Sequence, residues 1–94
     1  MSNSKINPVS LRIPTKAYSQ GVLVPCGSSN LLFLTGQLPQ DLDGKIVHIG
    51  DIDAQTRLVF SRILDILKEA KMSFEDVVKL QIYVKDINDA KTVS

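Results

Sequence analysis

Hydrophobic and polar positions alternate with two different periods along the chain, and the change between them divides it. Gly21 to Cys26 carries Val22, Leu23 and Val24 before Pro25, and Gly27, Ser28, Ser29 and Asn30 follow as a dense turn signal. Leu31 to Thr35 answers as a second apolar run, so the two runs predict a hairpin whose second strand is too apolar on both faces for a solvated edge. Gly36 to Pro39 ends that strand, and Asp41 to Gly44 forms another turn before a brief segment at Lys45 to Ile49.

From Asp51 the period lengthens. Ile52, Leu58 or Val59, Ile63, Leu67 and Ala70 recur at three- and four-residue intervals among charged residues, which predicts an amphipathic helix of about five turns. Asp51 is its expected N-cap, with Lys68 and Lys71 in the last turn. Ser73 to Asp76 has capping-box spacing and predicts a short helical turn. Val78, Leu80, Ile82 and Val84 then alternate with Lys79, Gln81, Tyr83 and Lys85, the pattern of a strand with one packed face. Asp86 opens a second predicted helix, and Ser94 falls inside it. The opening, residues 1–13, mixes Ser, Asn and Lys with proline and reads as an extended arm in which a short strand begins only at the end. The expectation is one domain over residues 1–94, short of its last third.

Composition narrows the function classes. Eleven Lys and Arg against ten Asp and Glu leave a net charge of +1, too even for a dedicated DNA-binding surface, and three Phe, two Tyr and no Trp give few rings for stacking on RNA. Nucleic acid is therefore disfavoured as a partner. Cys26 is the one cysteine, which excludes an internal disulfide and fits a reducing, cytoplasmic compartment, with mitochondria as the alternative. No apolar run is long enough for a membrane span. Asp51, Asp53, Asp86 and Asp89 sit at helix starts, where capping accounts for them without a metal. Cys26 is expected as a small buried hydrophobe, His48 as a solvated loop residue, and Gln37 as a structural hydrogen-bonding side chain. Arg57 and Arg62 are expected in surface or intersubunit salt bridges.

Taken with the element order, Thr35-Gly36-Gln37-Leu38-Pro39, Asp51-Ile52-Asp53-Ala54-Gln55-Thr56-Arg57, Asp76-Val77-Val78-Lys79 and Val84-Lys85-Asp86 resemble the YjgF/RidA family, also catalogued as endoribonuclease L-PSP proteins. The resemblance spans residues 14 to 94. It implies an α+β fold of the chorismate-mutase-like type, a mixed and mostly antiparallel sheet with helices on one face, here lacking the last strands, and assembly as a homotrimer with clefts between subunits. It also implies an enzyme without metal or organic cofactor, a hydrolase that converts reactive enamines and imines (2-aminoacrylate, 2-iminobutanoate, 2-iminopropanoate) to 2-keto acids and ammonia.

Carried over residue by residue, the family pattern assigns the substrate pocket to Tyr18, Thr35, Gly36 and Ser94. Thr35 stands where Ser is commoner, and Ser94 where Asn is frequent. The family's catalytic Arg and Glu align beyond Ser94, so catalytic residues are unassigned and the 94-residue form is expected to be weak or inactive. The alternatives are a non-enzymatic ligand-binding or regulatory relative and, with less support, an endoribonuclease or translation inhibitor.

Overall fold

The computed structural model describes residues 3–14, 18–84 and 88, and among these three strands and one long helix are the main elements. The strands are β1 (Ser4–Ile6), β2 (Gly21–Cys26) and β3 (Ser29–Leu34), and the helix is α1 (Ile52–Glu69). β2 lies between β1 and β3 and is antiparallel to both.

The predicted hairpin is present with a tighter turn than four residues. Cys26 pairs with Ser29, leaving only Gly27 and Ser28 as the loop. Gly27 has φ 64°, as the first central position of a II′ turn requires, and this geometry matches the twist of the flanking strands. β1 pairs with β2 only as far as Leu23, so Pro25, which has no N–H to give, lies beyond that ladder. The hairpin tip also corrects the expectation for Cys26. It is exposed, because the strand's last residue projects past everything that packs on the sheet.

The arm differs from its expected form as well. Its strand is at the beginning, Ser4–Ile6, and the chain then turns through Pro8 and Leu11, with Leu11 N–H donating to the Pro8 carbonyl at 3.1 Å. Arg62 holds this turn by donating to the Ser10 carbonyl, and the Ser10 hydroxyl donates to Asp65 at 2.8 Å. Within this chain Arg62 thus serves a backbone oxygen of the arm.

α1 begins where the pattern places it. Asp51 accepts a hydrogen bond from the Ala54 N–H at 3.1 Å, with Asp53 in the first turn. The helix ends at Ala70 with Lys71 just outside it in the left-handed region at φ 61°, not in the last turn. Lys71 N–H donates to the Lys68 carbonyl at 2.9 Å and Met72 N–H to the Leu67 carbonyl at 2.7 Å, the paired bonds of a Schellman cap. The expected turn at Ser73 is a single 3₁₀ turn, Phe74–Asp76, in which the Ser73 N–H donates to the Asp76 carboxylate at 2.9 Å.

Ile66, fully buried, fixes the helix on the sheet. It packs with Ile6 and Leu11, and Leu23, Leu32 and Leu34 close around them. Gly21 permits this approach, since a Cβ there would lie 3.0 Å from Ile66 Cγ2 and 3.4 Å from Leu32 Cδ1. Paired residues share a face of the sheet, so Val22, Val24, Leu31 and Phe33 lie on the side away from Ile66, where Leu31 and Phe33 are exposed.

Residues 77–84 form no strand, contrary to expectation. Among the described residues nothing pairs with them, and Val78 is 97% and Tyr83 88% exposed. Alternation can sort side chains onto two faces, but a strand needs a neighbouring backbone to bond. The predicted second helix and Ser94 lie outside the described residues, apart from Asn88.

Candidate functional site

Tyr18, Thr35 and Gly36 come together at the corner of the sheet where the chain enters β2 and leaves β3. Gly21 pairs with Leu34, so Tyr18–Gln20 and Thr35–Gln37 continue as neighbouring segments past the ends of the two strands. Thr35 N–H donates to the Gln20 carbonyl at 2.9 Å, extending the ladder beyond β3. The Thr35 hydroxyl donates to the Ser19 carbonyl at 2.5 Å.

Those two bonds determine what Thr35 can offer. A hydroxyl has one proton and two lone pairs. With the proton directed to Ser19, Thr35 Oγ1 retains only acceptor capacity for any further partner. Gly36 follows as an exposed residue, and a Cβ built on it would meet no atom within 4 Å. Its φ is not in the left-handed region. The fold of this chain therefore does not require glycine at 36, and any steric reason for it comes from what approaches from outside. Tyr18 is 42% exposed at the same corner.

Behind these residues lies a polar cluster that pattern reading did not find. Ser19 and Gln20 are buried, at 6% and 4% exposure. Gln20 N–H donates to Asn7 Oδ1 at 2.8 Å and its side-chain Nε2 to the Arg12 carbonyl at 2.8 Å. Gln37 Nε2 donates both to Gln20 Oε1 and to the Thr35 carbonyl, each at 3.0 Å. Gln37 is thus the structural hydrogen-bonding residue that was expected, whereas Gln20 and Asn7 were missed. The nearest signal was the placement of polar Ser19 and Gln20 directly before an apolar strand, which does not by itself reveal burial. Gln20 and Gln37 also line a narrow cleft with Leu11, Arg12, Gln40 and Arg62.

His48 is exposed, at φ 56° in the turn before α1, and its carbonyl accepts from the Asp51 N–H at 2.9 Å, in keeping with a solvated loop residue. In the preceding turn Asp41 Oδ1 accepts from the Asp43 and Lys45 N–H groups at 2.9 and 3.0 Å. The Lys45 N–H bond is the principal cause holding its carboxyl below the usual aspartate range. Among the described residues, no helix is long and apolar enough to cross a membrane.

The chain has relatives of known fold. It is 46% identical over 77 residues to a RutC family protein of Pyrococcus abyssi, covering 81% of this chain and 57% of that protein. It is 36% identical over 67 residues to the 3-aminoacrylate deaminase RutC of Acinetobacter baylyi, covering 71% of this chain and 53% of that one. The chain therefore spans a little over half the length of these curated relatives. Among solved structures, a Rid family protein of Yersinia pestis superimposes with a TM-score of 0.83 at 30% identity, covering 98% of this chain and 70% of the other. The YjgF gene product of E. coli gives a TM-score of 0.76 at 27% identity, covering 96% and 67%. Both share the α+β arrangement described above. The endoribonuclease L-PSP family model matches residues 10–94, and on that match together with these relatives the chain belongs to the YjgF/RidA, or endoribonuclease L-PSP, family.

Proposed function

We propose that the corner formed by Tyr18, Thr35 and Gly36 is one wall of an enamine/imine deaminase site that converts 2-aminoacrylate, 2-iminobutanoate or 2-iminopropanoate to the 2-keto acid and ammonia. The observation that carries this is the donor and acceptor pair at adjacent residues: an acceptor-only hydroxyl on Thr35 beside the N–H of exposed Gly36, which no acceptor takes among the described residues. A 2-imino acid presents the complement, an N–H on C2 next to a carboxylate. The Thr35 oxygen takes the N–H, the Gly36 N–H meets the carboxylate, and the Tyr18 ring closes the side of the pocket.

In the hydrolysis itself, an enamine first becomes the imine as C3 gains a proton and the nitrogen gives one up. Water then adds to C2, its oxygen bonding to carbon as the C–N double bond becomes single and the nitrogen gains a proton. The carbinolamine loses ammonia as the C–O bond becomes a carbonyl. Moving those protons and clamping the carboxylate fall to the opposite wall, which by family resemblance carries an Arg and a Glu beyond Ser94. Ser94 belongs to the same proposed pocket. The 36% identity to a protein named as a 3-aminoacrylate deaminase supports the reaction class.

The same proposal extends to assembly. Val22, Val24, Leu31 and Phe33 make a contiguous apolar face, and covering it with further copies in a homotrimer removes that surface from water.

Thr35→Val tests the site. With 2-iminobutanoate generated by a threonine dehydratase and 2-ketobutyrate formation followed, Thr35→Val should lose up to about tenfold in imine hydrolysis, the worth of one hydrogen bond. Thr35→Ser should retain function. Turnover above the uncatalysed rate that is equal in Thr35→Val and the parent would refute the proposal.

A further inference from the structure

We propose that Gln20 and Gln37 are positioning residues that aim the Gly36 N–H at the substrate carboxylate. The inference rests on the deaminase proposal for what the N–H meets, but the direction of the N–H follows from the hydrogen bonds alone. The Thr35 carbonyl accepts from Gln37 Nε2 at 3.0 Å. The Thr35–Gly36 peptide is planar and trans, so its N–H leaves the opposite edge of the plane, away from the two glutamines. Among the described residues no acceptor takes that N–H, and Gly36 is exposed.

The two glutamines hold this orientation because their own bonds allow no alternative. Both Gln37 Nε2 protons are used, one on Thr35 and one on Gln20 Oε1 at 3.0 Å. Gln20 is 4% exposed, and its Nε2 donates to the Arg12 carbonyl at 2.8 Å. Flipping the Gln20 amide would set its NH₂ against the Gln37 NH₂ and its oxygen against the Arg12 carbonyl, two repulsive contacts in place of two bonds. Flipping the Thr35–Gly36 peptide would turn its N–H onto the Gln37 NH₂ in the same way. The chain thus runs from a buried amide to an exposed donor, Arg12 to Gln20 to Gln37 to Thr35, and ends at Gly36.

Gln37→Met keeps the side chain's length and removes both donors. In isotopically labelled protein without ligand, the Thr35 carbonyl ¹³C and Gly36 amide ¹⁵N resonances should move from their parent positions, because the ¹⁵N shift senses the bond on the preceding carbonyl. On titration with 2-ketobutyrate, the parent's Gly36 amide proton should move downfield, and Gln37→Met should bind about tenfold more weakly, which corresponds to ~1.4 kcal/mol. The unmodified protein supplies a second readout should the variant fail to fold. Its Gly36 amide should exchange rapidly with solvent until 2-ketobutyrate is added, while the Gln37 side-chain amide protons stay protected. Unmoved Thr35 and Gly36 resonances in Gln37→Met, or a Gly36 amide already protected in the free protein, would overturn the relay. A parent protein that takes up no 2-ketobutyrate would remove the deaminase proposal instead, and the ligand-free resonances would still decide the relay.

Discussion

Adding one methyl group at Gly21 tests how closely α1 and the sheet are fitted. A Cβ there would sit 3.0 Å from Ile66 Cγ2, 3.4 Å from Leu32 Cδ1 and 3.5 Å from Ile6 Cβ, so the first contact must yield by a few tenths of an ångström. Ile66 is fully buried and cannot swing into solvent. Overpacking of this kind costs about 1–3 kcal/mol. Gly21 is not in the left-handed region, so alanine also gains about 0.4–1 kcal/mol by restricting the unfolded chain. The net effect of Gly21→Ala is therefore a loss of about 0–2.6 kcal/mol. Ile66→Ala alone should cost roughly 2–5 kcal/mol through the cavity it opens. In that background the new methyl group has room, and Gly21→Ala should become neutral or stabilising, a coupling of about 1–3 kcal/mol, the overpacking cost relieved. Urea unfolding of the four proteins at one fixed protein concentration measures this cycle, the concentration being held because association would shift the midpoint. An equal cost for Gly21→Ala in both backgrounds would refute the claim that Ile66 is what Gly21 accommodates.

Two further outcomes follow from the surface and the turns. Phe33→Glu puts a charge on the apolar face at a residue that is 61% exposed and should shift sedimentation equilibrium of the proposed trimer towards monomer, whereas an unchanged mass would show that this face is not the contact. The depressed Asp41 pKa makes the turn's stability complete above the ordinary aspartate range and lost as pH falls through the lowered value. Protection of the Asp43 and Lys45 amides, taken relative to the intrinsic exchange rate at each pH, should therefore fall on acidification in the parent and be low and flatter with pH in Asp41→Ala; superimposable protection profiles would refute this.

What could be read from the sequence was local. α1 was legible because its spacing, its Asp51 cap and its length all depend on residues within a few turns of one another. The hairpin was legible for the same reason, although only the backbone shows that Gly27 alone supplies the positive φ and shortens the loop to two residues. Residues 77–84 carry an equally clear pattern and form no ladder, because pairing is a property of two segments and the pattern belongs to one. At the proposed site, Tyr18, Thr35 and Gly36 are assigned through motif resemblance, and residue type alone would have left Thr35 and Gly36 as a strand end and a turn. Gln20 escaped notice because an amide side chain is ordinarily exposed. Its burial becomes visible only once the arm folds back and brings Asn7 and the Arg12 carbonyl to it.

The corner's polar cluster has a backbone origin that links it to the fold. A strand that outruns its ladder has amide groups to satisfy, and a buried group left unpaired costs about 1–3 kcal/mol. Here β1 ends at Ile6, β2 begins at Gly21 and β3 ends at Leu34, all at one edge of the sheet. Side chains complete what the ladders do not: Asn7 takes the Gln20 N–H, and Gln37 takes the Thr35 carbonyl. No buried side-chain nitrogen or oxygen among the described residues lacks a partner. The bonds that satisfy the strand ends are therefore the same bonds that immobilise the Thr35–Gly36 peptide, so a substitution at Asn7 should disturb Gly36 although the two residues share no hydrogen bond. A donor held in this way is preorganised, because the ordering of its peptide is completed during folding rather than when a ligand arrives.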